Sequence, residues 1–438
     1  MPHYDFGEVK NDNDQWGVLV TVKPFLQRFF LIFIIVFGLS NCASHDFIDR
    51  DQQQEDYEGR QDSGFYPYGK QPNWQGKDGK IRVALLLPLT HSRVSKLAQA
   101  MRQAAEMAMF EKANENFTLI TRDTYGTPQG AAQAAQDAIA QGASLIIGPF
   151  FSTSVTAVTP IARQHNVSVL AFTNSLAVAG EGVFVMGYTP EQEVMRVVAY
   201  ATAQGKQHFG VLAPNTPYGE VAIRALNKAV LRFGGYIEEA ARYQQNQDPA
   251  QIVQAMKLDN LDAILVPEGG RNLIWVLSYL NHYREERKEA LLEKQENLSP
   301  ESLAMLDPVM SKDLQIIGTG LWNSPKTLKD PSLYGGWFAG IDQHNWQIFE
   351  GRYQQNFGNR PPKLASLCYD LVAMAAMIAK SPQGPDYSVN RLTDVTGFYG
   401  IDGNFRLKQD GTVERTLNVY EVTPRGIKLK SQARHSFL

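Results

Sequence analysis

An α/β fold of two tandem lobes, each built on a parallel sheet, is the architecture this sequence predicts. Three observations carry it. From Ile81 onward, short β-branched apolar runs alternate with longer segments of helical periodicity. The alternation comes as two similar series, one after the other. Several apolar runs stop at Gly, Pro or hydroxyl side chains and pass at once into a helical pattern, as in SLIIGPFFSTS (144–154). Strands alternating with helices imply parallel sheets covered on both faces. The chain has 438 residues, too many for one small core and suited to two domains.

In the first series, IRVALLLPL (81–89) reads as a buried strand. SKLAQAMRQAAEMAMFEK (95–112) reads as a helix with Leu97, Met101, Ala104, Ala105 and Ala108 on one face. The strand FTLITRDT (117–124) precedes TPQGAAQAAQDAIAQG (127–142), with Pro just inside its start and Gly at its end, as helices have. SLIIGP (144–149), the helix STSVTAVTPIARQHN (152–166) and the strand VSVLAFT (167–173) complete the series. The second comprises helices over 191–205, 219–235, 250–258 and 271–283, and strands over 208–215, 236–244, 261–269 and 314–320. Such lobes bind ligands in the crevice outside the carboxyl ends of their strands.

Ahead of this region, Lys23 and Arg28 precede the apolar run FFLIFIIVFGL (29–39), which is short for a membrane span and suits a secretory h-region. LSNC (39–42) resembles a bacterial lipobox, which makes Cys42 the expected lipidated residue. Ala43, rather than Asp, follows it, and the resemblance then implies outer-membrane anchoring over inner. MPHYDFGEVKNDNDQWG (1–17) is polar and acidic, so the start is expected near Val20 or Val22; a precursor peptide containing Trp16 excludes this. Residues 43–80, rich in Gln, Asp, Gly and Tyr, read as a disordered tether.

Ser152, Thr153 and Ser154 stand where a strand gives way to a helix N-terminus. Free backbone N–H groups and the positive end of the helix dipole favour a carboxylate or phosphate there. The alternative is ordinary N-capping by Ser152. Thr173 and Ser175 close the next strand, which makes binding the stronger reading. In the second series Tyr218 (NTPYGE, 215–220), Glu268 (VPEGG, 266–270) and Trp322 (GTGLWNSP, 318–325) close successive strands. Tyr218 is placed to reach over the cleft and Trp322 to act as a stacking lid; the alternatives are a loop tyrosine, a surface glutamate and a core tryptophan.

Residues 126–175, with their helix, IIGP turn, second helix and strand ending in a polar cluster, resemble type I periplasmic binding proteins of the leucine/isoleucine/valine-binding kind. TPYGEVA (216–222) resembles that family's Tyr-Gly-Glu turn, and FGNRPPKLASLCYDLVAMAA (357–376) its Tyr-Asp helix behind a Pro-rich lead. The resemblance, spanning about 81–425, implies two Rossmann-like lobes joined by three crossovers. Lobe 1 would be 81–190 plus 343–395, and lobe 2 191–342 plus 396–430. Ser152 to Ser154, Thr173 and Ser175 would hold a ligand carboxylate, and Tyr218 would close over it. The family's acid for an α-ammonium follows the strand matching IIGTG; here LWNSP (321–325) has no carboxylate, and Glu268 is the candidate substitute.

The expected function is a periplasmic solute-binding lipoprotein taking an amino acid or similar small carboxylate for a transporter permease. The alternative resembles activators of penicillin-binding proteins, outer-membrane lipoproteins that contact a peptidoglycan synthase. The charged stretch HYREERKEALLEKQENLSPESLAMLDPVMSKD (282–313) would then be an interaction arm rather than a solvated helix. TGFYGIDGNFRLKQDGTVERTLNVYEV (396–422) reads as a terminal β-hairpin region.

Other classes find no support. A net charge of −3 is no electrostatic footprint for nucleic acid. Nucleophile-elbow, zinc-protease, P-loop and dinucleotide-binding patterns are absent from the sequence. The eight histidines have no metal-ligand spacing, and no cofactor is expected. His165 and His208 read as surface residues, Asp123 and Asp370 as carboxylates without a second acid, and Cys368 as a core thiol rather than a nucleophile. An enzyme is not expected.

Overall fold

The computed structural model describes residues 74–244, 248–296, 314–382, 384–434 and 436–437. The expected leader, Cys42, most of the tether and residues 297–313 lie outside them. The described residues belong to one compact unit, Ser63–Leu438.

The first lobe is built from β1 (Ile81–Leu87), α1 (Ser95–Lys112), β2 (Phe117–Asp123), α2 (Pro128–Ala140), β3 (Ala143–Ile147), α3 (Ser152–Gln164), β4 (Ser168–Ala171) and β5 (Val183–Val185). Its sheet runs β2-β1-β3-β4-β5, all parallel. Alternate residues of β1 serve two cores: Val83, Leu85 and Leu87 face one, Ala84 and Leu86 the other. That is the burial on both faces that parallel strands require. On α2 the Thr127 side chain accepts the Gly130 N–H at 3.0 Å, Pro128 opens the helix, and Ala131, Ala134, Ala135 and Ala138 form its buried stripe.

The second lobe follows with α4 (Pro190–Ala203), β6 (His208–Pro214), α5 (Pro217–Phe233), β7 (Tyr236–Tyr243), α6 (Ala250–Ala255), β8 (Ala263–Leu265), α7 (Gly270–Glu296), β9 (Gln315–Gly318) and β10 (Trp337–Gly340). The chain then returns to the first lobe through α8 (Gln343–Phe357), α9 (Leu364–Ala379) and α10 (Val389–Leu392). α9 is apolar almost all round and packs on α1 in the first core, as such a helix must. Cys368 is fully buried there, and burial pushes its thiol far above its ordinary range.

A small antiparallel sheet follows, of β11 (Phe398–Gly400), β12 (Gly403–Leu407) and β13 (Val413–Arg415). The chain crosses a third time into β14 (Asn418–Thr423) and β15 (Gly426–Ser431), which join the second sheet. Its order is β15-β14-β10-β9-β8-β6-β7. Two lobes joined by three crossovers are therefore present.

Two boundaries and one strand direction differ from expectation. Phe405, Leu407 and Val413 pack into the first core, so 396–430 does not sit whole in the second lobe. β14 runs antiparallel to β10, and β15 antiparallel to β14, so the second sheet is parallel only from β10 to β7. Trp74 is buried edge-on against Tyr387, with ring centroids 6.0 Å apart, so the packed chain reaches back into the segment expected to be a free tether.

Candidate functional site

The first half of the site starts at Gly148. Its φ is +105°, and a Cβ there would collide with the Leu86 carbonyl oxygen, so glycine alone lets β3 end beside β1. The chain then enters α3. The N-cap is Phe151, in extended conformation and without a side-chain cap bond, so Ser152 is the first helical residue and not the cap. The opening N–H groups of α3 thus lack a side-chain cap. Ser152 is half-buried, Thr153 exposed and Ser154 buried, with a Ser154 Oγ that has no hydrogen-bond partner. One strand over, Thr173 is buried and its hydroxyl accepts the Ser175 N–H at 3.1 Å. The Thr173 carbonyl accepts the Gly187 N–H at 3.1 Å, tying this strand end to the first crossover.

On the second lobe, Thr216 caps α5 by accepting the Gly219 N–H at 3.2 Å, which sets Tyr218 in the first turn. The Tyr218 hydroxyl donates to Thr319 Oγ1 at 3.0 Å, just past β9. Burial, then the nearby Glu193 carboxylate, pushes the phenol well above its ordinary range.

The other two candidates take different roles. Glu268 accepts the Tyr243 hydroxyl through Oε2 at 2.6 Å and the Gly269 N–H through Oε1 at 2.9 Å. Both oxygens are engaged within the lobe, one hydrogen bond on each. Trp322 is 0% exposed. Its Nε1 donates to the Val266 carbonyl at 3.3 Å, and its ring fills the space above Gly318 and Gly336. It is a core residue and not a lid, because glycines in β9 and just ahead of β10 leave the room where the indole lies.

Two charged groups escaped the sequence reading. Glu193, in the first turn of α4, accepts the Gly320 N–H through Oε2 at 3.0 Å. Burial raises its carboxyl from the ordinary 4.5 to about 7, opposed by that hydrogen bond and by Lys363. Lys363, just ahead of α9, donates to the Asn323 carbonyl and so links the first lobe to the second. Burial lowers its pKa, against Glu193 and Asp402. Nothing in PEQEVM (190–195) announced this, since an acid in a helix's first turn is ordinary.

Asp370 is not solitary. It accepts the Ile401 N–H at 2.7 Å and the Asp402 N–H at 3.3 Å, and both carboxyls are buried. Asp123 binds the Leu89 N–H at 2.9 Å and the Thr90 hydroxyl at 2.6 Å, as a turn-shaping residue does. His208 pairs with Glu238 at 2.7 Å on the half-exposed edge of β6 and β7. Among the described residues no cluster of His, Cys, Asp or Glu is fit to hold a metal ion, and no helix is long and apolar enough to cross a membrane.

Two lobes on largely parallel sheets, joined by three crossovers, make up a type I periplasmic binding protein fold. Comparison with known proteins agrees. Residues 80–278 match the model of the periplasmic binding protein family. A candidate branched-chain amino acid ABC transporter from Rhodospirillum rubrum superposes with a TM-score of 0.67, at 16% identity, over 80% of this chain and 100% of that one. A substrate-binding protein, LivJ of Streptococcus pneumoniae, solved with isoleucine, gives a TM-score of 0.51 at 15% identity, over 81% of this chain and 100% of that one. Among curated proteins, an uncharacterised protein of Rickettsia prowazekii is 20% identical over 43% of this chain and 50% of its own length. The penicillin-binding protein activator LpoA of Vibrio cholerae is 28% identical over 34% of this chain and 25% of its own. The chain thus spans half the length of the first relative and a quarter of the second.

Proposed function

We propose that this chain is a lipid-anchored periplasmic receptor that binds a small carboxylate between its lobes. The observation that carries the reading is Ser154. Its hydroxyl is buried without a partner in the first turn of a helix that has no side-chain cap. A buried unpaired hydroxyl costs roughly 1–3 kcal/mol, which a ligand oxygen would recover. Thr173 and Ser175 at the neighbouring strand end, and Tyr218 in the first turn of α5 on the second lobe, would supply the further polar groups such a ligand needs. Structural neighbours solved with isoleucine and with 3,4-dihydroxybenzoic acid show that this fold accepts small carboxylates elsewhere. Cys42 is the proposed lipid attachment, in the outer membrane.

The test is a thermal-shift screen of the full chain against amino acids, aromatic acids and cell-wall fragments. A ligand at 100 times its dissociation constant stabilises the fold by about 2.7 kcal/mol. Ser154→Ala and Tyr218→Phe should each weaken the hit by about 1–3 kcal/mol. A panel without any shift refutes the receptor reading.

A second reading has its own support. The match to a penicillin-binding protein activator is joined by the length of α7, which has 27 residues and spans roughly 40 Å. In its first half Leu273, Val276, Leu277 and Leu280 are fully buried. The second half is rich in charge in sequence, which suits a protein partner such as a peptidoglycan synthase. Retention of the chain by immobilised synthase, lost on removing 284–313, supports this reading; no retention removes it.

A further inference from the structure

Asp402 stands where the two lobes meet, and its side chain is bonded from both. The residue leads into β12, whose Phe405 and Leu407 belong to the first core. Its Oδ2 accepts the Ser366 hydroxyl of α9, a first-lobe helix, at 3.0 Å. The same oxygen accepts the Tyr188 hydroxyl, and Tyr188 packs against the second core. Lys363 makes a second tie in the other direction. It stands just ahead of α9 on the first lobe and donates to the Asn323 carbonyl, next to the second-lobe core residue Trp322. Gln192 of α4 also bridges the lobes, but it ends on the Val413 carbonyl, which does not titrate.

The charged and titratable groups facing Asp402 come from each element around it. The first crossover brings Tyr188, β13 Arg415, the segment ahead of α9 Lys363, and α9 itself Asp370. Asp370 is occupied by backbone, accepting the Ile401 N–H at 2.7 Å and the Asp402 N–H at 3.3 Å. Arg415 donates to the Met186 carbonyl at 2.8 Å and lies over the Tyr188 and Phe405 rings. Tyr188 is thus the partner of Asp402 that packs on the second core, whereas Ser366 and Asp370 belong to the first lobe's own helix.

Relative to the unfolded chain, burial raises the Asp402 carboxyl. Relative to the same fold with the lobes parted, the direction reverses. Parting takes Tyr188 away and leaves Asp402 among its first-lobe neighbours. The Tyr188 bond favours the carboxylate, so losing it makes Asp402 a weaker acid. By reciprocity, a protonated Asp402 holds Tyr188 less firmly, since a hydroxyl donates more strongly to a carboxylate than to a neutral carboxyl. Lys363 follows the same charge. Burial disfavours its ammonium, and Glu193 and Asp402 are the acids that oppose this.

We propose that Asp402 is a proton-operated latch between the lobes: ionised, it holds Tyr188 and keeps Lys363 charged on Asn323; protonated, it loosens both ties and the lobes part. The latch belongs to the hinge and acts whatever lies in the cleft.

The experiment carries spin labels on the full chain at Lys112→Cys of α1 and Lys228→Cys of α5, exposed positions on different lobes, with Cys42→Ser. Cys368 is fully buried and takes no label. Pulsed electron paramagnetic resonance reads the distance between the labels from pH 8 to pH 5. Losing a hydrogen bond to a charged group shifts an equilibrium by roughly tenfold or more. The ratio of long to short distances should rise by about that factor as pH falls. Tyr188→Phe removes the tie without touching the acid and should show the raised ratio already at pH 8. Asp402→Asn keeps an accepting oxygen without charge, and its ratio should no longer change with pH. The pH series with Tyr188 and Asp402 intact stands without either variant. Distances that stay constant over the series, lobes that part as pH rises, or an undiminished pH response in Asp402→Asn each overturn the latch.

Discussion

Glu268 accepts one hydrogen bond on each oxygen, from Tyr243 and Gly269, whereas Glu193 Oε1 accepts none among the described residues. A consequence for stability follows. Folding raises the Glu193 carboxyl from 4.5 to about 7, so the folded state holds a proton that the unfolded state releases. Stability from this group is complete below pH 4.5 and declines as pH rises toward 7. Glu193→Gln keeps an oxygen for the Gly320 N–H and carries no charge. It should be more stable than wild type at pH 8, by up to about 3 kcal/mol, and equal to it near pH 4. Urea denaturation at the two pH values measures this; equal stability at both excludes a strained carboxylate. The hydroxyls of Ser152 to Ser154, Thr173 and Ser175 were legible in the sequence because a strand, a stop and a helix start place them locally. Glu193, Lys363 and the core position of Trp322 were not, since each depends on which distant element the fold brings alongside.

Among the elements, those with their own stop and start signals were legible. α1 runs over the residues that periodicity assigns, and α2 lies between its Pro and Gly markers. Strands β5 and β10 escaped notice, being only 3 and 4 residues long. Runs that short carry no period, and they are strands only because β4 and β9 pair with them. The run 261–269 looked like a long strand, but pairing with β6 and β9 selects Ala263–Leu265. At β9 the fit of Trp322 over Gly318 and Gly336 makes a separate prediction. Trp322→Ala removes a fully buried indole and should cost about 3–5 kcal/mol in urea denaturation. A tryptophan lid would instead leave stability unchanged and lower only ligand affinity, which is the outcome that excludes the core placement.

For the whole molecule, what matters is how the two lobes are held at their three crossovers. The first crossover brings Tyr188, whose hydroxyl donates to Asp402. Ser366 of α9 donates to the same oxygen at 3.0 Å. Arg415, entering the third crossover, donates to the Met186 carbonyl at 2.8 Å and lies over the Tyr188 and Phe405 rings. Asp370 and Asp402 stand side by side among these groups, with Lys363 also facing Asp402. Burial, and for Asp370 the neighbouring acid, pushes its carboxyl well above the usual range; burial alone is the leading cause for Asp402. Arg415, Tyr188, Ser366 and Lys363 oppose the shift of Asp402 without cancelling it. Folding therefore takes up protons at the junction of the lobes. A proton bound only in the folded state gives a stability slope of about 1.4 kcal/mol per pH unit, falling as pH rises past the ordinary carboxylate range. Asp402→Asn should flatten that slope. Its amide oxygen keeps the Tyr188 and Ser366 hydroxyls, its nitrogen takes the place of the unpartnered Oδ1, and Asp370 loses its like-charged neighbour. Urea midpoints from pH 5 to pH 8 should drop in the wild type and drop less in Asp402→Asn. Parallel curves would mean that both carboxyls are ionised in the folded protein and that Arg415 and Lys363 balance them at the hinge.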